Sequence, residues 1–290
     1  MPAPRKSRRQ RHILPGFGLT LGFTIFYLTA IVLLPLVALV LKTVTPTVAY
    51  PSVFKVIGHG IQITTDSRAW SSYRLSFGIS FAAALINSLF GFIVAWALAR
   101  YTFPGKKIAD ALVDLPFAMP TSVAGLALTQ IFASNGGFLG QSLHRWFGWQ
   151  IDHTGWGILI ALTFVGFPFV VRTIQPVIAQ LGGDVEEAAA CLGANRWKTF
   201  WRVIFPAVRP SLLTGAMLAF GRGVGEYGSI VFIYGNMPYR EITPQLIVNK
   251  LEEFDYVGAS ALGLVMLVMS LAIVSLVNLG QYLTSPRRLA

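Results

Sequence analysis

The sequence predicts an all-α membrane protein with six transmembrane helices and with amino and carboxyl termini in the cytoplasm. Three observations predict this: the composition, the long apolar stretches, and the distribution of Lys and Arg. Of the 290 residues, 54% are hydrophobic and 12% are charged, whereas a soluble domain carries about 25% charged residues. So few charged side chains cannot cover this much apolar surface in water, so lipid must be the solvent for much of the chain.

Charge-free stretches locate the spans, because a helix that crosses about 30 Å of hydrocarbon needs about 20 apolar residues. Five stretches are uninterrupted: 13–41, 75–99, from Leu115 into the 130s, 154–171 and 256–286. A sixth, 210–234, is interrupted by Arg222 and Glu226. The first stretch is about twice as long as a signal-peptide core and ends without a small-x-small cleavage site, so we interpret it as a retained helix.

The distribution of positive charge gives the orientation. With six spans and the amino terminus inside, fifteen of the 23 Lys and Arg residues fall on the cytoplasmic side, in segments 5–11, 100–107, 172–209 and 287–288. Seven fall outside, and Arg222 lies within a span. This bias satisfies the positive-inside rule. It also accounts for most of the net charge of +11, so no nucleic-acid partner is needed to explain that charge.

The sequence lacks the motifs of an enzyme or of a self-contained pump. Gly105-Lys106 has neither the upstream glycine nor the following Ser or Thr of a P-loop. No HExxH or GxSxG occurs, the four histidines are scattered, and Cys191 is the single cysteine. We therefore expect no catalytic residue, no metal site and no cofactor in this chain.

The segment 182–206 is the most unusual predicted cytoplasmic loop. Asp184, with Glu187 three residues on, predicts the N-cap of a short helix, and Gly193 can end that helix in a left-handed conformation. A second helix is expected from Asn195 until Pro206 prevents its continuation. Its apolar face is formed by four residues at helical spacing: Trp197, Phe200, Trp201 and Ile204.

Two interpretations of this helix pair remain open from periodicity alone. An amphipathic pair can lie in the lipid interface with its tryptophans at headgroup depth. Alternatively, it can dock against another protein, which the run of three alanines at 188–190 favours, because a face without bulky side chains lets another backbone approach closely.

The spacing within this segment resembles that of the EAA loop of ABC-importer permeases. That pattern is Glu-Ala-Ala, three residues, Gly, nine residues, then Ile-x-Leu-Pro. Here it reads Glu187-Ala188-Ala189, Gly193 and Val203-Ile204-Phe205-Pro206, with Val for Ile and Phe for Leu. Further motifs are similar to those of sulfate/thiosulfate permeases of the CysT type, along nearly the whole chain: 14–17, 114–120, 169–173, 225–228 and 253–256.

The resemblance implies a type I (MetI-like) permease architecture in the bacterial inner membrane. It implies a tail, first helix and external loop at 1–72, a permease core at 73–284, and a cytoplasmic tail at 285–290. It also implies partners: a second six-span permease, a cytoplasmic ATPase dimer that uses ATP and Mg, and an external sulfate-binding protein. The ATPase contact would then be made by this set of residues: Glu187, Ala188, Ala189, Gly193, Trp197 and Pro206.

Two groups of residues inside the predicted membrane region are candidates for a substrate pathway. Arg222 and Glu226 are four residues apart, which predicts a shared helix face and a mutual ion pair. Whether Arg222 contacts substrate or pairs only with Glu226 stays open. Pro116 and Pro120 remove two backbone donors, and the polar Thr121 and Ser122 follow, so this segment is expected to face protein or a water-filled cavity.

The leading prediction is therefore the permease subunit of a sulfate/thiosulfate importer, driven by a separate ATPase. A permease for molybdate, tungstate or another oxyanion is the alternative within the same class. A stand-alone channel or an intramembrane enzyme is the alternative in a different class, and the absence of a catalytic constellation counts against it.

Overall fold

The computed structural model describes residues 17–235 and 241–284, and the basic amino-terminal segment and the carboxyl-terminal tail lie outside them. These residues form thirteen α-helices and one π-helical turn. The helices are α1 Phe17–Val44, α2 Val53–Thr65, α3 Ser67–Arg100, α4 Lys106–Ala118, α5 Thr121–Phe132, α6 Gly140–Phe147, α7 Gly155–Gln180, α8 Asp184–Cys191, α9 Arg196–Thr199, α10 Phe205–Val224, α11 Gly228–Tyr234, α12 Thr243–Glu252 and α13 Tyr256–Thr284.

The predicted all-α membrane architecture is confirmed. Among the described residues, five helical runs are long and apolar enough to cross a membrane: α1, α3, α7, the run Arg196–Val224, and α13. The pair α4 and α5 meets the same criteria as one broken span and brings the number to six. The cytoplasmic placement of the two termini stays a prediction.

Helices α3, α7 and α10 form the centre of the bundle, and small residues bring them close together. Val170 and Ile174 of α7 are fully buried. A Cβ atom built on Gly91 of α3 would lie 2.8 Å from Val170 Cγ1, and one on Gly215 of α10 would lie 3.0 Å from Val170 Cα. Glycines at these positions let the three helices pack closely in lipid, where van der Waals contact takes the place of hydrophobic burial.

The third span is broken rather than continuous. It was predicted to start at Leu115, but α4 begins at Lys106, and the chain bends by 114° between α4 and α5. Pro116 is accommodated inside α4, whereas Pro120 precedes α5. The bend falls here because a residue before proline is driven out of the helical region, and Met119 is extended, with φ −96° and ψ 134°.

The fifth span differs from its predicted limits of 210–234. A helical run extends from Arg196 to Val224, and 228–234 forms the separate helix α11. The predicted stop at Pro206 was wrong, because a π-helical turn at Phe200–Ile204 connects α9 to α10. In that turn the Phe205 N–H donates to the Phe200 carbonyl, and Pro206 then falls in the first turn of α10, where a missing N–H is tolerated.

Candidate functional site

The segment after α7 forms a tight helical hairpin, which we call the α8 hairpin (residues 184–199). The predicted left-handed end of α8 is confirmed, since Gly193 has φ +76° and the Ala194 N–H donates to the Ala189 carbonyl at 3.0 Å. Asn195 caps α9 by accepting the Lys198 N–H at 2.8 Å. The prediction that Asp184 is the N-cap was wrong. Gly183 holds that position and Asp184 lies in the first turn, where its charge still suits the helix dipole.

An arginine at the end of α3 fixes the α8 hairpin to the bundle. The Arg100 guanidinium is 2.8 Å from a Glu186 carboxylate oxygen and donates to the Gly182 carbonyl at 3.0 Å. The same guanidinium lies over the Trp96 ring, 5.4 Å from its centroid. Trp96 lies on the same helix as Arg100 and orients the guanidinium, whose contacts with Gly182 and Glu186 then hold the start of α8 in a defined position.

The residues proposed for docking divide into an exposed set and an inward set. Five of the six are exposed: Glu187, Ala188, Gly193, Trp197 and Pro206. Ala189 is 9% exposed and faces inward, so its small size serves packing within the hairpin. Of these exposed residues, Glu187 and Trp197 line one cavity together.

The prediction that Trp197, Phe200, Trp201 and Ile204 form one apolar face was partly wrong. Trp197 and Trp201 are 72% and 55% exposed, whereas Ile204 is buried and Phe200 packs edge-to-face on Phe92 at 5.9 Å. Phe200 and Ile204 therefore pack against the bundle, while the two tryptophans stay on the outside. A cavity of about 1100 Å³ opens beside Trp197. Its lining includes Phe92, Trp96, Glu187, Ala190 and Phe200.

Arg222 and Glu226 form the predicted ion pair, although not on one helix. Their Nη1 and Oε2 atoms are 2.6 Å apart. Helix α10 ends at Val224, so Glu226 lies in the turn that leads to α11. The other oxygen of Glu226 accepts the Ser229 N–H at 2.9 Å and the Ser229 hydroxyl at 3.0 Å. This carboxylate is 1% exposed, and the three contacts make an ionised group tolerable there.

The turn holding Glu226 is packed directly against the start of α5. A Cβ atom on Gly228 would lie 2.3 Å from Thr121 Oγ1 and 3.2 Å from Ser122 Oγ, and one on Gly125 would lie 2.4 Å from the Ser229 carbonyl oxygen. The structure thus brings Thr121 and Ser122 next to the residues that follow Glu226. Pro120 begins this segment, whereas Pro116 lies in α4, on the other side of the bend.

A second polar cluster was not identified from the sequence. Arg172 of α7 makes a two-pronged contact with Asp114, from Nε and Nη2 at 2.7 and 2.6 Å. It also reaches Asp110 at 2.7 Å and Gln175 at 2.7 Å. Asp110 and Asp114 are four residues apart on α4, so their spacing indicated a shared acidic face. Nothing in the sequence identified Arg172 as the partner, because it is 58 residues away from Asp114.

Comparison with known proteins places these features in a family. The profile of the binding-protein-dependent transport system inner membrane component matches residues 87–289. The sulfate transport system permease protein CysT of Synechococcus elongatus is 45% identical over 257 residues, covering 88% of each chain. That of Escherichia coli is 42% identical over 269 residues, covering 92% of this chain and 93% of the relative.

The fold is also similar to that of a chain in a solved transporter. A bacterial alginate ABC transporter, crystallised in complex with an alginate pentasaccharide-bound periplasmic protein, matches with a TM-score of 0.72. The match covers 91% of this chain and 93% of that chain, at 17% sequence identity. At that identity the similarity establishes the fold alone.

Proposed function

The chain belongs to the family of binding-protein-dependent transport system inner membrane components, and from that premise we propose that it is the permease subunit of an ATP-driven sulfate importer. Identities of 45% and 42% to sulfate permeases, across about nine-tenths of the chain, support sulfate as cargo. Several apolar helices make it a multi-pass membrane protein, and the inner membrane is the proposed location.

Three partners complete the proposed assembly: a second six-span permease, a cytoplasmic ATPase dimer, and an external sulfate-binding protein. Their support comes from the family, whose members work with a binding protein, and from the EAA-type spacing of the α8 hairpin. In this proposal the partner ATPase binds ATP and Mg, and this chain contributes movement and part of the pathway. Substrate selection can then reside in the external binding protein.

The observation that carries the coupling proposal is the unbroken helical run from Arg196 to Val224. One end of this run is in the α8 hairpin, and the other carries Arg222, paired with Glu226 at 2.6 Å. A helix of 29 residues extends about 43 Å. Closure of an ATPase dimer against the hairpin would therefore shift α10 as a rigid rod and move the Arg222–Glu226 turn against α5.

Reconstitution tests the proposed cargo. The permease pair and ATPase are placed in liposomes with the binding protein, and uptake of labelled sulfate and labelled molybdate is measured with ATP present or absent. We expect ATP-dependent uptake of sulfate, and molybdate uptake near background. Preferential molybdate uptake would reassign the cargo, and ATP-independent flux would indicate a channel.

A matched pair of variants at Gly193 tests the coupling surface. Gly193 has φ +76°, which isoleucine resists and asparagine tolerates. We expect Gly193→Ile to abolish ATPase docking and transport while membrane insertion stays normal, and Gly193→Asn to retain most of both. Normal uptake by the isoleucine variant would refute the assignment of this hairpin.

A further inference from the structure

A recess lies at the end of the bundle far from the α8 hairpin. It has a volume of about 550 Å³, and its polar lining includes Ser71 and Arg74 of α3 together with His153 and Thr154 at the start of α7. Arg74 and Arg100 are 26 positions apart on α3, which corresponds to about 39 Å. The recess therefore opens at one membrane surface, and the α8 hairpin, which Arg100 holds, lies at the other.

The recess is positively charged. Arg74 is exposed, and it has no ion pair or hydrogen bond within the part of the chain that the structure describes. The nearby carboxylate of Asp152 is 4.0 Å from His153 Nε2. It accepts hydrogen bonds from the Ser134 N–H and from the Ser134 hydroxyl, both at 3.1 Å. A carbonyl can only accept, so His153 donates from Nδ1 to the Tyr234 carbonyl at 2.9 Å, which fixes its ring at the recess wall.

An apolar groove continues from this recess along the seam between α3 and α7. The groove has a volume of about 620 Å³ and shares four lining residues with the recess, including Gly78 and Gly155. Its further lining includes Ala82, Trp156 and Leu159. A Cβ atom on Gly78 would meet no atom of the described residues within 4 Å, so the groove is open along α3.

Helix lengths place the recess at headgroup depth and the groove in hydrocarbon. Helix α3 has 34 residues and extends about 51 Å, against about 30 Å of hydrocarbon. Arg74 is seven residues, or about 10 Å, from the start of α3, and so lies at the edge of the hydrocarbon. Gly78 and Ala82 lie about 6 and 12 Å deeper. Trp149 and Trp156, stacked with centroids 6.5 Å apart, lie where interfacial tryptophans are enriched.

We propose that the recess and groove together bind one glycerophospholipid of the leaflet opposite the α8 hairpin. Arg74 and the Ser71 hydroxyl bind the headgroup phosphate, and an acyl chain lies along Gly78 and Ala82 between α3 and α7. Charge complementarity at the recess and its direct continuation into an apolar groove favour a lipid. A free oxyanion could bind the same polar groups as the headgroup phosphate, but it would occupy the recess and leave the apolar groove empty.

Native mass spectrometry of the importer purified with its partners tests this proposal. Phosphatidylglycerol is titrated into the mild-detergent sample, and bound lipid is counted for the parent, Arg74→Gln, Gly78→Leu and a control, Arg145→Gln. Arg145 is an exposed arginine on α6, also on the side away from the α8 hairpin. Gly78→Leu leaves Arg74 intact and places its side chain in the groove, where its Cβ atom would meet no atom of the described residues within 4 Å, and the melting temperature of the variant checks that it is folded.

We expect lipid affinity to fall about tenfold in Arg74→Gln, the ratio for the loss of one charge-assisted hydrogen bond. A comparable fall is expected in Gly78→Leu, with little change in Arg145→Gln and no displacement by excess inorganic sulfate. Sulfate displacement together with an unaffected Gly78→Leu would identify a free-ion site instead. Equal losses in Arg74→Gln and the control would mean non-specific attraction of anionic lipid, and either result overturns the proposal.

Discussion

The contact between α5 and α11 should be the least tolerant of added volume in the candidate pathway. A Cβ atom at position 125 would lie 2.4 Å from the Ser229 carbonyl oxygen and 2.7 Å from Ser229 Cα. An ordinary contact is about 3.4 Å or more, so Gly125→Ala forces α11 back by about 1 Å. Overpacking of this kind costs about 1–3 kcal/mol. Here the obstacle is backbone, so the upper part of that range applies.

Gly78→Ala is the matched control, because its methyl group enters open space and replaces a helical glycine, a change worth about 0.5–1 kcal/mol in favour of the variant. Gly125 is also a helical glycine, so both variants share this gain and should differ by the overpacking cost alone, about 2–3 kcal/mol. At about 2 °C per kcal/mol for a chain of this size, the apparent melting temperatures of the purified assemblies should differ by about 4–6 °C at one scan rate. Equal melting temperatures would show that α5 and α11 are not in tight contact.

Three further outcomes are expected. Arg172→Met leaves Asp110 and Asp114 without their cation at 2.7 and 2.6 Å, so the apparent melting temperature should fall by about 2–4 °C, and Arg209→Met, at an exposed position on the predicted cytoplasmic side, should change it by less than about 1 °C. Arg222→Lys should lower sulfate uptake at all concentrations if the guanidinium contacts substrate, and unchanged kinetics would assign it to pairing with Glu226. Asn195→Ala should destabilise the α8 hairpin by about 1 kcal/mol through loss of the Lys198 cap, and faster amide exchange at Lys198 would reveal it, whereas exchange unchanged from the parent would count against the cap.

Much of the fold could be predicted because lipid imposes a simple rule on length and charge. The spans around 75–99 and 154–171 lie within α3 and, nearly in full, α7, since a charged side chain inside either would be costly. Bends are harder to predict. Pro116 and Pro120 are four residues apart, yet one is accommodated inside α4 and the other marks a 114° bend. Both prolines place the same local restriction on the residue before them, so the difference cannot be derived from that rule alone.

The candidate site was predictable where its geometry is local. The left-handed end of α8 at Gly193 and the start of a second helix at Asn195 depend on neighbouring residues, and both predictions are confirmed. Family membership followed from the spacing of the same segment and is confirmed by the match over 87–289. Contacts between distant segments were not predictable: Arg172 meets Asp110 from 62 residues away, and Arg100 meets Gly182 from 82 residues away. The roles of Arg222, Glu226 and the docking residues stay predictions.

The π-helical turn at Phe200–Ile204 affects how the α8 hairpin is oriented relative to α10. A π turn holds about one residue more than an α turn, and each residue of an α-helix rotates the chain by about 100°. Deleting a single residue there would close it as an ordinary α turn and leave the rotation between the α8 hairpin and α10 nearly unchanged, whereas deleting one residue within α10 would turn the hairpin by about 100° around the axis of the span. The π turn is therefore the place in the run Arg196–Val224 that can absorb a change of one residue in length, and the same change elsewhere in the run would rotate the hairpin relative to α10.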